Sequence, residues 1–134
     1  MNGEEFEKKW LKKFAPNLTQ EQYESCYLNQ FLWHVFSYGM IPKDVVLTGE
    51  AAGAAYDAAD KEGAITIQLD KVMSALNKRK VKDIQTAEIA EKYKKSKAVN
   101  KVQELYVVDK DWKWTYVSTH ENGWCGPYFY KIDQ

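Results

Sequence analysis

The fold is decided by residues 105–130, LYVVDKDWKWTYVSTHENGWCGPYFY. The first four residues are apolar or aromatic, which is typical of a buried strand. Residues 109–111, Asp-Lys-Asp, predict a turn, because an aspartate side chain can bond the local backbone. The alternation over residues 112–117 predicts a second strand. Asn122-Gly123 is a strong hairpin signal, because both residues tolerate a positive φ. The stretch therefore predicts three antiparallel strands joined by two tight turns.

The period of two along a strand makes specific predictions for the side chains of this meander. Trp112, Trp114 and Tyr116 are expected to share one face of the second strand. Pro127 has no N–H to donate to a sheet, so we expect the last strand to begin at a sheet edge.

The N-terminal part of the chain predicts helices. Phe6, Trp10 and Phe14 recur every four residues among lysines, which indicates an amphipathic helix that ends before Pro16. Thr19 is followed three residues later by Gln22, a capping box for a second helix.

Residues 31–38, FLWHVFSY, are a run too short for periodicity to decide between helix and strand. Their aromatic and β-branched content favours a strand. Alanine-rich residues 49–62 predict a thin helix, residues 64–69 alternate as a strand does, and residues 86–101 predict a helix that ends in lysines.

Together these elements predict a single α+β domain over residues 1–134. Its C-terminal antiparallel three-stranded meander is extended by one or two further strands, and its helices pack on one face.

The composition narrows the classes of function. The net charge is zero, and the nineteen basic residues include only one arginine, Arg79. A neutral chain has no overall field that attracts nucleic acid or membrane, and bidentate recognition of phosphate favours arginine. No segment resembles a signal peptide, and no apolar run is long enough to span a membrane. Cys26 and Cys125 are therefore expected to be free thiols, as is usual in a reducing cytosol. A cytoplasmic protein with no membrane partner is predicted.

Three motifs carry a resemblance to a known family. They are residues 32–38, LWHVFSY, residues 105–121, and Gly126-Pro-Tyr-Phe129. They resemble a family of small bacterial proteins, common in Bacillus-like species, that is known only as a domain of unknown function. The resemblance implies a cytosolic bacterial protein and brings no catalytic residues with it. Residues 105–121 are also similar to the C-terminal sheet of several bacterial toxin-immunity proteins.

The sharpest catalytic hypothesis joins Cys125 to His120 and to an acid, Glu121 or Asp111. A cysteine nucleophile needs a nearby base and a group that orients the base, and a tight hairpin would place Cys125 opposite His120. His34 is an alternative base. An inert, partly buried thiol is the favoured interpretation, because no cysteine-protease signature surrounds either cysteine.

A metal site is the second chemical possibility. Cys26, His34, His120 and Cys125 are ligand types for zinc, but they lack the usual ligand spacing. Asp109 and Asp111 lack the further oxygen ligands of a calcium loop. The sequence therefore predicts no metal and no cofactor.

The basic segment from Lys78 to Lys101 could contact nucleic-acid phosphates. Few aromatic residues interleave it, so stacking on bases is unsupported. A solvated face is favoured, and nucleic acid is an unlikely partner.

The function predicted from these observations is non-enzymatic contact with another protein, which could be immunity-like. The alternatives are a small hydrolase that uses Cys125 and His120, and nucleic-acid binding. The aromatic side chains of the meander are expected to lie mainly in the core. Exposed members would anchor a partner, and the candidate contact residues are Trp112, Trp114, His120, Asn122 and Trp124.

Overall fold

The computed structural model describes residues 1–132 and contains a six-stranded antiparallel sheet. The strands are β1 (Val46–Thr48), β2 (Ile65–Gln68), β3 (Ala87–Glu88), β4 (Leu105–Val108), β5 (Trp114–Ser118) and β6 (Tyr128–Lys131). Their order across the sheet is β1-β6-β5-β4-β2-β3. The predicted meander is confirmed in part: β4, β5 and β6 pair in order, but three further strands extend them rather than one or two.

Helices connect these strands and cover them. They are α1 (Gly3–Phe14), α2 (Gln20–Ser25), α3 (His34–Ser37), α4 (Gly49–Ala58), α5 (Lys71–Leu76) and α6 (Ser96–Val99). Three 3₁₀ helices are formed by Lys43–Val45, Val81–Asp83 and Glu91–Lys94. Within residues 1–132, no helix has both the length and the apolar character needed to cross a bilayer.

The first helix forms as the sequence predicts. The Asn2 side chain accepts a hydrogen bond from the Glu5 backbone N–H at 3.0 Å, and the Glu5 side chain accepts one from the Asn2 N–H at 3.0 Å. This capping box satisfies N–H groups that a helix start leaves free. The capping box of Thr19 and Gln22 at α2 is also present.

One face of the sheet is covered by α1 and by the segment that contains α3. Phe6, Trp10 and Phe14 of α1 are buried there with Tyr106 of β4. The Trp10 indole N–H donates to the Thr115 hydroxyl at 3.0 Å, so its polar atom is satisfied inside the core.

The opposite face is also covered, so the prediction of helices on one face is wrong. Tyr56 of α4 stacks on Tyr116 of β5 with ring centroids 4.3 Å apart, and Val99 of α6 packs in the same cluster. Every residue of β4 and β5 is buried, because the alanine-rich α4 is thin enough to lie close to the sheet. Apolar content alone could not reveal this second layer.

Trp112 does not share a face with Trp114 and Tyr116, contrary to the sequence prediction. It precedes β5 and has a φ of 58°. This left-handed residue reverses the side-chain alternation before the strand begins. Trp112 is therefore buried beside α1, whereas Trp114 and Tyr116 are buried beside α4.

Residues 31–38 do not form the predicted strand. They comprise turns and the short helix α3. The Trp33 backbone N–H donates to the Tyr106 hydroxyl at 3.0 Å rather than to a neighbouring strand. The run is rich in aromatic residues because it is buried against the sheet. A buried loop has this composition as readily as a buried strand, so the composition did not distinguish them.

The remaining corrections concern connections. Residues 119–127 form a nine-residue loop instead of a two-residue hairpin, and β6 lies between β5 and β1 rather than at an edge. The Ala-rich helix ends at Ala58 instead of residue 62. Residues 86–101 contain β3, a 3₁₀ turn and α6 rather than one helix.

Replacing Trp10 with alanine tests the packing of α1. Trp10 is fully buried, so we expect Trp10→Ala to lower the free energy of unfolding by about 3–5 kcal/mol in urea denaturation. The exposed Lys12→Ala on the same helix is the control and should stay within about 0.5 kcal/mol of the wild type. Similar values for both variants would show that α1 is not docked as described.

Candidate functional site

The centre of the site is the side chain of Glu104, which is 2% exposed. Its Oε2 accepts a hydrogen bond from the Trp33 indole N–H at 2.6 Å. Its Oε1 accepts one from the His120 backbone N–H at 3.0 Å, and a further one from the His120 ring Nδ1. A buried carboxylate needs such donors, because burial without partners is very costly.

Glu104 joins three segments that are distant in sequence. It lies in the turn before β4 with a φ of 57°. Trp33 lies in the loop before α3, and His120 lies at the start of the loop after β5. The Glu104 backbone carbonyl also accepts from the Leu69 N–H at 2.9 Å, which connects the end of β2. The carboxylate thus fixes the end of the sheet at which these loops meet.

His120 is oriented by this contact. Because Nδ1 faces Glu104, the other ring nitrogen, Nε2, points away from the carboxylate and lies 3.9 Å from the nearer oxygen of Glu121. The ring packs against Phe31 and Trp33, with centroids 5.1 and 5.7 Å away, and the side chain is 36% exposed. An imidazole oriented by a carboxylate is suited to proton transfer or to contact with a polar group.

The loop of residues 119–127 is held in shape by its own side chains. The Asn122 side chain accepts from the Thr119 backbone N–H at 2.9 Å and donates to the Ser118 hydroxyl at 2.9 Å. It also donates to the Asn100 carbonyl at 3.3 Å. Gly123, at a φ of 93°, donates its N–H to the Gly126 carbonyl at 2.9 Å. Asn122 therefore shapes the loop, and only part of its surface is free for a partner.

Trp124 projects from this braced loop and is 89% exposed. Beside it lies an open cavity of about 320 Å³. The cavity lies between the loop, the segment around α3 and the first strand, and its lining includes Phe36, Ile41, Val46, Thr48, Trp124, Cys125 and Tyr128. The rim of this cavity thus carries a large aromatic side chain in solvent.

The neighbouring strand β1 is an edge of the sheet. Gly49 donates its N–H to the Pro127 carbonyl at 3.1 Å. Hydrogen-bonding pairs alternate along an antiparallel ladder, so Leu47 faces β6 while the Val46 C=O and the Thr48 N–H point outward. The Thr48 C=O is not available, because Thr48 caps α4 and its carbonyl accepts the first bond of that helix. The two outward groups offer positions at which another strand could pair.

Cys125 has different neighbours from those the hydrolase hypothesis requires. Burial raises the pKa of its thiol, and the carboxylate of Glu121 raises the pKa further, against a smaller opposing effect of Tyr128. Activated cysteines instead have a lowered pKa. Within residues 1–132, no hydrogen bond connects the Cys125 thiol to the His120 ring, which is bonded to Glu104. The orienting acid is Glu104, and Asp111 lies exposed in the turn after β4.

The zinc-type ligands are not gathered around one point. His34 Nδ1 lies 2.7 Å from the backbone carbonyl of Cys26 rather than pairing with its thiol. Among the described residues, no group of three histidine, cysteine, aspartate or glutamate side chains is placed to hold a metal ion.

The candidate contact residues fall into two groups. Trp112 and Trp114 are 7% and 6% exposed, so they contribute to the two cores and offer little surface to a partner. His120, Asn122 and Trp124 lie together on the loop after β5. Three of the five candidate contact residues therefore share one loop.

The family of this chain is shown by a match over nearly its whole length. The family model described as "Domain of unknown function (DUF4275)" matches residues 1–129. The chain belongs to this family. The resemblance to a family of unknown function is thus confirmed, and the match includes β1 to β5, α1 to α6, and the 119–127 loop with Glu104 and Trp124. Neither the curated proteins nor the solved structures gave a match to this DUF4275 chain.

Glu104 was missed by sequence analysis. It stands between Gln103 and the apolar strand that begins at Leu105, where a glutamate is ordinarily expected at the surface. Its partners, Trp33 and His120, lie 71 and 16 residues away. Only the fold brings these residues together, so no local pattern could have identified them.

The Glu104 contacts are tested by Glu104→Gln, which keeps the size of the side chain. The amide NH₂ of the glutamine takes the place of one carboxylate oxygen, so it faces an N–H group that donates a hydrogen bond to Glu104 in the wild type. Two donors then face each other and neither has an acceptor. We expect the free energy of unfolding to fall by about 2–4 kcal/mol in urea denaturation. Exposed Glu62→Gln is the matched control. A loss below about 1 kcal/mol for Glu104→Gln would contradict the described network.

The raised pKa of Cys125 predicts a slow thiol. In a Cys26→Ser background, iodoacetamide should alkylate Cys125 at neutral pH more slowly than a cysteine in an unstructured peptide. The reaction should reach half its maximal rate at a pH above the ordinary thiol value of about 8.5. Alkylation faster than the peptide at neutral pH would support the hydrolase hypothesis instead.

Proposed function

We propose that this protein acts without catalysis, by contact with another protein through the loop of residues 119–127. The observation that carries the proposal is the 89% exposure of Trp124 on a loop held by Asn122. Tryptophan is one of the residue types enriched at the energetic centres of interfaces. A loop that is ordered before binding loses less conformational entropy when a partner docks.

The surface around Trp124 suggests how the partner sits. The cavity beside it would accept an apolar side chain, and the outward backbone groups of Val46 and Thr48 would pair with an extended segment. Such strand addition derives affinity from backbone hydrogen bonds and specificity from pockets for alternate side chains. Lys43, which lines the cavity, and His120, on the same loop as Trp124, would contribute polar contacts.

A more specific form of the proposal is an immunity-like role in the cytoplasm of a bacterium. It is supported by the similarity of residues 105–121 to the C-terminal sheet of toxin-immunity proteins, and by the two free cysteines. The partner would then be a toxin, and a toxin gene beside the gene for this chain would support this form. A metabolic operon in that place would count against it.

The contact is tested by Trp124→Ser. The wild-type chain is first used to capture its partner from a lysate of the native host. The affinity of the Trp124→Ser variant for that partner should be at least about 30-fold lower than the affinity of the wild type, as expected for a residue at an interface centre. The control is Tyr27→Ser, which removes an aromatic side chain that is 54% exposed in another part of the chain.

A photo-crosslinker at position 124 should capture the same protein, and one at position 27 should not. The proposal fails if the captured proteins are bound equally by the wild type and Trp124→Ser, both folded by circular dichroism.

A further inference from the structure

Helix α5 has its apolar side chains on the outside. Val72, Met73 and Leu76 are 50%, 49% and 72% exposed, whereas Ser74 is 2% exposed. At 100° per residue, the three apolar side chains fall within one 100° arc. Within residues 1–132, the buried Ser74 hydroxyl has no hydrogen-bond partner. This pattern is the reverse of an ordinary surface helix, whose apolar side faces the core.

The helix is nevertheless held firmly in this orientation. Asp70 caps its start by accepting from the Met73 N–H at 2.9 Å. Lys71 forms an ion pair with Glu7 of α1 at 2.6 Å and donates to the Asn29 carbonyl. Lys78, at a φ of 59°, ends the helix and turns the chain. The exposed apolar arc therefore belongs to the fold itself.

The chain that follows α5 is strongly basic. Lys78, Arg79, Lys80 and Lys82 are all exposed, and no acidic residue lies between Lys71 and Asp83. This local charge stands out against the zero net charge of the whole chain. The four basic residues and the apolar arc together are called the α5 surface below.

We propose that the α5 surface binds the surface of an anionic lipid bilayer. Val72, Met73 and Leu76 would enter the boundary between headgroups and acyl chains, and the basic side chains would lie against anionic headgroups. Peripheral membrane segments combine these two features. This interaction is independent of the Trp124 contact, and it departs from the sequence-based expectation of no membrane partner, which rested on net charge and spanning segments.

The other occupants fit the α5 surface less well. Nucleic acid offers phosphates but no apolar layer for the three side chains, and the surface has a single arginine for bidentate contacts. A second copy of the chain would bring like charges together. A protein groove that binds a helix typically holds anchors over two turns, whereas the arc of α5 covers one.

The test is co-sedimentation of the full chain with vesicles of equal parts phosphatidylcholine and phosphatidylglycerol, and with vesicles of phosphatidylcholine alone. We expect binding to the anionic vesicles only, weakening as salt is raised. Replacing Lys78, Arg79, Lys80 and Lys82 by glutamine should reduce partitioning by at least ~100-fold, at roughly 5-fold for each charge. Val72→Ser with Leu76→Ser should reduce it by at least ~10-fold.

Two matched control variants remove positive charge or exposed apolar side chains outside the α5 surface. The charge control removes four positive charges by replacing Lys92, Lys95, Lys97 and Lys101 with glutamine. The apolar control removes two exposed apolar side chains at β1 and the 3₁₀ helix before it, by Val45→Ser with Leu47→Ser. Both controls should keep most of the binding. Absence of binding by the wild type, or equal losses in controls and test variants, would overturn the proposal.

A second readout does not depend on the folding of those variants. An environment-sensitive fluorophore at Leu76→Cys, in a chain with Cys26→Ser and Cys125→Ser, should brighten on anionic vesicles. The same fluorophore at Val45→Cys should not, because Val45 precedes β1, the edge strand on the far side of the sheet from β2 and α5. Binding to a DNA oligonucleotide that survives Val72→Ser with Leu76→Ser, without brightening on vesicles, would identify nucleic acid as the occupant and refute the bilayer.

Discussion

The arrangement of the loops at one end of this fold depends on a single buried carboxylate. Glu104 accepts hydrogen bonds from the Trp33 indole and from the backbone and ring of His120. An isolated carboxylate in this position would be prohibitively costly, so the charge and its donors must be buried together or not at all. Glu104 therefore stabilises one arrangement of the loops. This arrangement requires three segments to be in position together: the segment before α3, the turn before β4 and the loop after β5.

The sheet supplies the rigid support for that junction. β4 and β5 are covered on both faces, by the aromatic cluster around α1 and by the Tyr56–Tyr116 stack beneath α4. Such a centre moves little, so side chains on its connecting loops hold their geometry. Trp124 is consequently presented by an ordered loop. α5 lies at the same end of the sheet, because β2 ends beside the start of β4. The two proposed surfaces therefore both rely on the framework that Glu104 completes.

Local signals in the sequence predicted much of the framework. The spacing of Phe6, Trp10 and Phe14 gave α1, and the alternation around Trp114 gave β5, because each pattern is set by neighbours a few residues apart. Local patterns gave wrong predictions at positions where contacts between distant residues determine the structure. The left-handed backbone at Trp112 reversed the alternation, Trp33 found its backbone partner in Tyr106, and Asn122-Gly123 became part of a long loop. Of the candidate site, His120, Asn122 and Trp124 were predicted from the loop sequence. Glu104 and the inverted α5 were not, because burial of a glutamate and exposure of three apolar side chains oppose average preferences.

Glu104 holds the indole of Trp33 in a buried hydrogen bond. Hydrogen exchange of the indole N–H groups, followed by NMR, measures this directly, and Trp124 provides an internal reference at 89% exposure. We expect the Trp33 indole N–H to exchange only through large-scale unfolding, as slowly as the amides of β4, and Glu104→Gln to accelerate this exchange markedly. Exchange of the Trp33 indole at the rate of Trp124 in the wild-type protein would show that Glu104 does not hold it.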